Sequence, residues 1–350
     1  MRAWHARKEG KIMYRWFLTL PLVLLPVVTA AATFDVSAGG SIAQALSRMG
    51  SGDTLTIHGG TYEENNLQPS SGSTVQGAPG ERVVLRPSGN TAPGFDLGTA
   101  TNITIRNLTI DGSGGGISYG IRMDGQSNLV ENVDIANVQN QGIAIYCAGG
   151  NAHNGCGHGG NTLRNVHVHG SGSGGCHGTT AKDGYCHGVY VYSDDNVIDG
   201  GEFDHNNGWG IQLYGSNETV TNVTVHENVS GGMTVPGSVN ASNSLFTNNQ
   251  GAGVWSQYGD SRYDSLTLTG NGGPGLYFQA GTSSRSVAVN IRAEGNSPNV
   301  QNDTGASVTP GGSGASLVPG QPSAGLPVPA LPTAPTPLPA PTQLRAMVRP

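Results

Sequence analysis

The chain has 350 residues, 56 of them glycine, with 11% charged residues and a net charge of −6. After the N-terminus Lys182 is the only lysine, which argues against a nucleic acid partner, since phosphate binding needs a basic patch. Abundant glycine with little charge describes a chain of many tight turns.

Residues 1–32 hold basic residues, then an apolar run from Trp16 to Val28, then Ala30, Ala31 and Ala32. That order is a secretory signal with small residues at its cleavage site, and Met13 offers a second start. The apolar run is short for a membrane span and contains Pro21 and Pro26. Export to an extracellular or periplasmic location is expected, with no span left after cleavage.

Between residues 33 and 308 a glycine opens each of a series of short apolar runs: Gly120, Gly142, Gly188, Gly210, Gly232, Gly253 and Gly275. The steps are 22, 46, 22, 22, 21 and 22 residues. That period suits a coil of short strands joined by turns. A second run precedes each glycine, and in it Val133/Ile135, Val223/Val225 and Leu266/Leu268 point one way. Asn206, Asn228, Asn249 and Asn271 each precede a glycine by four residues. Stacked coils would align them as a hydrogen-bonded ladder.

The step of 46 hides two insertions. Asn128 to Asn161 spans 33 residues where the period allows about 22, and Asn161 to Gly188 spans 27 where Asn196 to Gly210 spans 14. The surplus of 11 and 13 residues encloses one cysteine pair each, Cys147 with Cys156 and Cys176 with Cys186. Four cysteines in an exported chain predict two disulfides with three possible connectivities. Nearest-neighbour pairing would close two short loops and contribute about 2–3 kcal/mol each.

GDTLTIHGGTY (52–62), the Asn-flanked strands and HGVYVYSDDNVIDGGEFDHNNGWGIQLY (187–214) resemble the right-handed parallel β-helix proteins. That superfamily includes pectate, alginate and chondroitin lyases, mannuronan epimerases and carbohydrate-surface proteins. The resemblance implies an all-β fold, a single-stranded right-handed parallel β-helix of roughly nine or ten coils. Ser41–Met49, with Ile42, Ala45, Leu46 and Met49 at helical spacing, resembles the short helix that caps the first coil. Residues 309–350 read as a proline-rich tail without a core. In it PTQLRAMV (341–348) resembles the first strand of a fibronectin type III module.

Within each run the residues one and three after the glycine are apolar and face the core, so those two and four after it face outward. The first outward line reads Arg122, Ala144, Tyr190, Gln212, Thr234, Trp255 and Tyr277; the second reads Asp124, Tyr146, Tyr192, Tyr214, Pro236, Gln257 and Gln279. Such a face suits an extended, acidic polysaccharide, with rings packing on sugars and amides bonding hydroxyls. Alternatively, the tyrosines stack to stabilise neighbouring strands. The insertions are expected to wall this face and to add His153, His158, His177, His187, Lys182 and Asp183 to it. Arg122, Tyr146, Tyr190, Gln212, Tyr214, Trp255, Gln257, Tyr277 and Gln279 are therefore the expected substrate contacts. The expected molecule is a monomer.

Three chemistries fit these residues. β-Elimination from a uronic acid would draw its base and acid from His187, His177, Lys182 and Tyr192, with Ca²⁺ on Asp194 and Asp195; in the alternative those two aspartates form a turn. Hydrolysis would need facing carboxylates, of which the outward lines hold only Asp124 with Asp194 and Asp195 at their edge. Zn²⁺ or Cu could sit on the Cys/His loops, against which pairing of the cysteines competes. His167, His169, His205 and His226 are expected to be solvated. A glycan-binding protein without catalysis is the other reading of the same stripe.

Overall fold

Runs of three to nine residues that alternate apolar with polar fold into strands, and the strands wind into a parallel solenoid. The structure is a computed structural model that describes residues 30–147, 159–173, 186–283 and 285–311, with the backbone of Leu317–Pro319. It makes about twelve turns. A 16-stranded sheet and a 10-stranded sheet line its walls, and every pairing within them is parallel. The number of turns is close to the nine or ten coils expected. Pairing also continues past residue 308, where Leu317–Pro319 adds to Val300–Asn302.

The wide sheet bends once in every coil. Thr104–Asp111, Leu129–Ala136, Thr162–His169 and Glu218–His226 each carry one left-handed residue in mid-strand: Asn107 (φ 59°), Asn132 (φ 52°), Asn165 (φ 50°) and Asn222 (φ 59°). Asparagine tolerates that region where a branched residue would not. The bend shifts the alternation by one, so Val130 before it and Val133 and Ile135 after it all point inward. Inside, the apolar residues of every coil stack into one continuous core. The residues expected there from the glycine-led runs, from Ile121 and Met123 to Leu276 and Phe278, are all buried.

Glycine opens those runs because the coils are stacked too tightly for a side chain. A Cβ on Gly188 would lie 2.6 Å from the Gly210 carbonyl oxygen and 2.9 Å from Asn206 Nδ2. Beside the glycines runs the expected ladder: Asn206 donates to Asn228 (2.9 Å), Asn228 to Asn249 (3.0 Å), Asn249 to Asn271 (2.9 Å) and Asn271 to Asn296 (2.8 Å). A second buried ladder joins Asn128 to Asn161 (3.1 Å) and Asn161 to Asn196 (3.0 Å). It therefore holds register across the first insertion. It ends on Glu218, whose carboxylate oxygens accept from Asn196 N–H (3.0 Å) and Nδ2–H (3.3 Å). Burial pushes the Glu218 carboxyl up to about 9.

At the N-terminal end Ile42–Leu46 forms the expected cap. Ser41 accepts from the Gln44 N–H, and Ile42, Ala45 and Leu46 are buried. Among the described residues no helix is long and apolar enough to cross a membrane. The expected signal (1–32, save its last residues) and the proline-rich tail from 320 onward, including 341–348, lie outside the described residues.

Candidate functional site

The narrow sheet carries the outward stripe. Arg122, Ala144, Tyr190, Gln212, Thr234, Trp255, Tyr277 and Gln301 fall on one line, each in register with the next. None of them is part of the hydrophobic core. Alternation dictates this: the residues on either side, such as Val189 and Val191, point inward. Rings from both outward lines meet. Tyr190 lies 5.6 Å from Tyr146, 6.1 Å from Tyr192 and 5.7 Å from Tyr214, and Trp255 stacks on Tyr277 at 5.9 Å.

The stripe is less open than expected. Tyr277 is 4% exposed and Gln212 5%, and Ala144 and Thr234 are also buried. Several polar groups are also used within the face: Gln257 Nε2 donates to Thr234 Oγ1 (2.7 Å) and Tyr277 OH to Asp303 (3.0 Å). Arg122 pairs with Asp124 (3.1 Å) and Asp96 (3.6 Å) and reaches over the Tyr146 ring. Four buried polar atoms of the two outward lines remain unsatisfied: Asp124 Oδ1, Gln212 Oε1, Trp255 Nε1 and Gln279 Oε1. Burial raises the Tyr214 hydroxyl above its ordinary value, so it stays a donor. Trp209 belongs to this face and was not anticipated. Its ring crosses Gly231 of the next coil, where any Cβ would strike it, and meets Trp255 at 5.9 Å.

His187 is not the accessible acid or base expected of it. It is 4% exposed, and its Nδ1 accepts the Trp209 N–H at 3.0 Å. Burial lowers its pKa to about 4, so the ring is neutral at physiological pH. Its role is to tie two coils together beneath Tyr190, whose ring lies parallel at 6.2 Å. Asp194 and Asp195 occupy the turn after Tyr192: Asp194 accepts from the Ser216 N–H (2.7 Å), and Asp195, itself left-handed (φ 61°), from Asn217 Nδ2 (2.7 Å). Cys156, Cys176, His177, Lys182, His153 and His158 lie outside the described residues.

The second half of the wide sheet carries a concentration of charge that the sequence reading passed over. Asp134, His167 and Glu202 are in register on one line; His169, Asp204 and His226 are on the next. Of the four histidines expected to be solvated, His205 is exposed, His167, His169 and His226 are half-buried, and all four lie against carboxylates. His167 lies 3.1 Å from Asp134 and 2.7 Å from Asp204, His169 lies 3.3 Å from Asp134, and His226 lies 2.7 Å from Glu202. His205 pairs with Asp204 and, at 2.9 Å, with Glu227. Asp134 first, then Asp204, hold the His167 imidazole up at about 10. Among the described residues, two groups could hold a metal ion: Asp134, His167 and His169, and Glu202, Asp204 and His226. Neither includes Asp194 or Asp195. A signal was present in the sequence: counting six and eight residues from the ladder positions Asn128, Asn161 and Asn196 lands on Asp134, on His167 and His169, and on Glu202 and Asp204.

This geometry, a parallel solenoid with asparagine ladders, defines the class. The family described as the right handed beta helix region matches residues 94–271, and the chain belongs to it. No curated protein matches the chain. Among solved structures, pectate lyase Pel9A is similar with a TM-score of 0.49 at 16% identity, over 83% of this chain and 80% of that one. An alginate lyase from Paenibacillus sp. str. FPU-7 has a TM-score of 0.48 at 15% identity, over 81% and 99%. The Azotobacter vinelandii mannuronan C-5 epimerase AlgE4 A-module has a TM-score of 0.44 at 16% identity, over 73% and 90%. These are likenesses of fold.

Proposed function

We propose that the protein is exported and, as a monomer, binds an extended acidic polysaccharide along the outer face of the narrow sheet. One observation carries this: rings and amides from successive coils share a single outward face, on which Tyr190, Tyr192, Tyr214 and Trp255 stay half-exposed. Half-exposed aromatic rings in a row mark a binding surface, and their faces can pack on sugar rings. Coils repeat about every 4.8 Å, so a chain lying across them meets similar groups at each step. Export agrees with the absence of free thiols among the described cysteines, Cys147 and Cys186.

The test is affinity electrophoresis in gels containing alginate, polygalacturonate or chondroitin sulfate. The protein should be retarded by at least one of them. The double variant Tyr192→Ala/Tyr214→Ala should lose at least tenfold in affinity, because each of these half-buried rings contributes about 1–2 kcal/mol to such contacts. Retardation unchanged by the double variant would remove the binding site from this face.

Cleavage by β-elimination is the finer reading. Of the four groups expected as acid and base, His187 is buried as a structural acceptor and His177 and Lys182 lie outside the described residues, which leaves Tyr192. A lyase would release unsaturated uronates that absorb in the ultraviolet. Tyr192→Phe should then lower turnover at least 100-fold while retardation in the gel persists. Absence of absorbance with every polysaccharide that binds would leave a binding protein.

A further inference from the structure

On the wide sheet, His167 stands directly across from Asp134 in the parallel register, and His169 is two residues further along the same strand. Residues two apart on a strand share a face about 6.5–7 Å apart, so both imidazoles can turn toward one neighbouring carboxylate. They do. Asp134 Oδ1 lies 3.1 Å from His167 Nδ1 and 3.3 Å from His169 Nε2, and the two rings stack at 4.3 Å. Yet that oxygen is buried and has no hydrogen-bond partner of good geometry. Ligands on a tetrahedral Zn²⁺ at 2.0–2.1 Å are roughly 3.3 Å apart and off one another's bonding axes. The spacing of these atoms fits a shared cation.

The far side of His167 is prepared in the way a metal-bound imidazole needs. Its Nε2 lies 2.7 Å from Asp204 Oδ1, and Asp204 is held in turn by His205 Nδ1. A carboxylate on one ring nitrogen fixes the tautomer and turns the other nitrogen's lone pair to the metal. Beside the cluster lies a shallow groove of about 320 Å³, lined in part by Asn132, Asp134, Asn165 and His167. It gives an ion access from solvent.

We propose that Asp134, His167 and His169 bind a divalent transition metal ion, with Asp204 as the residue that positions His167. Two imidazoles and one carboxylate suit Zn²⁺, Cu²⁺ or Ni²⁺ rather than Ca²⁺ or Mg²⁺. The ion takes the place of the imidazole proton facing Asp134. Three protein ligands leave a coordination position for water or a small anion from the groove. This site is on a different sheet from the polysaccharide face and does not depend on it.

The test is calorimetric titration of the chelator-stripped protein with ZnCl₂, with CaCl₂ as the comparison. One Zn²⁺ per chain is expected, with Ca²⁺ giving no saturable heat. His169→Ala and Asp134→Asn should each weaken Zn²⁺ binding more than tenfold, and Asp204→Asn about tenfold. The double variant His153→Ala/His177→Ala, altered in the insertions, should bind as the parent does. Circular dichroism melts verify folding of each variant, and the two ligand variants keep the test intact if one of them fails to fold. No saturable Zn²⁺ binding, or a loss that follows His153 and His177 instead of His169 and Asp134, overturns the proposal.

Discussion

Asn228→Ala is expected to destabilise the β-helix by about 3–5 kcal/mol, the sum of several buried groups left without partners. The Asn228 amide donates to the Phe203 carbonyl (2.9 Å), the His226 carbonyl (3.0 Å) and Asn249 Oδ1 (3.0 Å). Its oxygen accepts both the backbone N–H (3.1 Å) and the side-chain amide (2.9 Å) of Asn206. Alanine supplies none of these, and the site admits no other partner because Asn206, Asn228 and Asn249 are all buried. The control is Asn222→Gly in the same coil. Asn222 is exposed and left-handed (φ 59°), so glycine keeps the backbone at little cost, within about 1 kcal/mol. Denaturant melts of the two variants measure the contrast; equal losses would show that the buried ladder is no stronger than the exposed bend.

Glu218→Gln is expected to stabilise the fold at mildly alkaline pH and to flatten its pH dependence. The folded carboxyl titrates at about 9 against an ordinary value of 4.5, because burial disfavours its charge. A raised pKa means that the folded state keeps a proton the unfolded chain has already released. The stabilisation is complete below about pH 4.5 and falls away as pH rises toward 9, by up to about 1.4 kcal/mol per pH unit within the window. Asp194 and Asp195 add to the effect by repelling the ionised form. Glutamine removes the titration. Its single oxygen can accept from both Asn196 donors, as Asn161 Oδ1 accepts the N–H (3.0 Å) and the amide (3.1 Å) of Asn128. At pH 8 a gain of about 1–3 kcal/mol is expected, shrinking to nothing near pH 4.5. Parallel stability curves for the two proteins between pH 5 and pH 9 would place the proton elsewhere.

The fold was legible because the solenoid repeats. A glycine every coil reports how closely the next coil approaches, and an asparagine every coil reports a ladder; neither depends on distant context. Even the insertions could be subtracted, since Asn128 and Asn161 stay hydrogen-bonded across 33 residues. The site was legible in part. Alternation placed Tyr190, Gln212 and Trp255 on the outside. It could not tell that Gln212 and Tyr277 would be almost fully covered, or that Trp209 folds over Gly231. Those outcomes depend on side-chain angles and on space left by neighbours. His187 misled because a histidine beside a tyrosine-rich strand looks reactive, while its Nδ1 is committed to a backbone N–H one coil away. The acidic and imidazole cluster of Asp134, His167, His169 and Asp204 was missed for another reason. Each member looks ordinary in its own coil, and only the register between coils brings them together.

Intrinsic tryptophan fluorescence tests the central claim most directly. Of the four tryptophans, Trp4 and Trp16 lie within residues 1–32, and the other two, Trp209 and Trp255, meet on the narrow-sheet face. Titration of the protein lacking residues 1–32 with the polysaccharide that retards it in gels should give a saturable change in emission, and Trp255→Phe should abolish most of it. Binding that saturates with no change in tryptophan emission would place the polysaccharide on another wall of the helix and contradict the account.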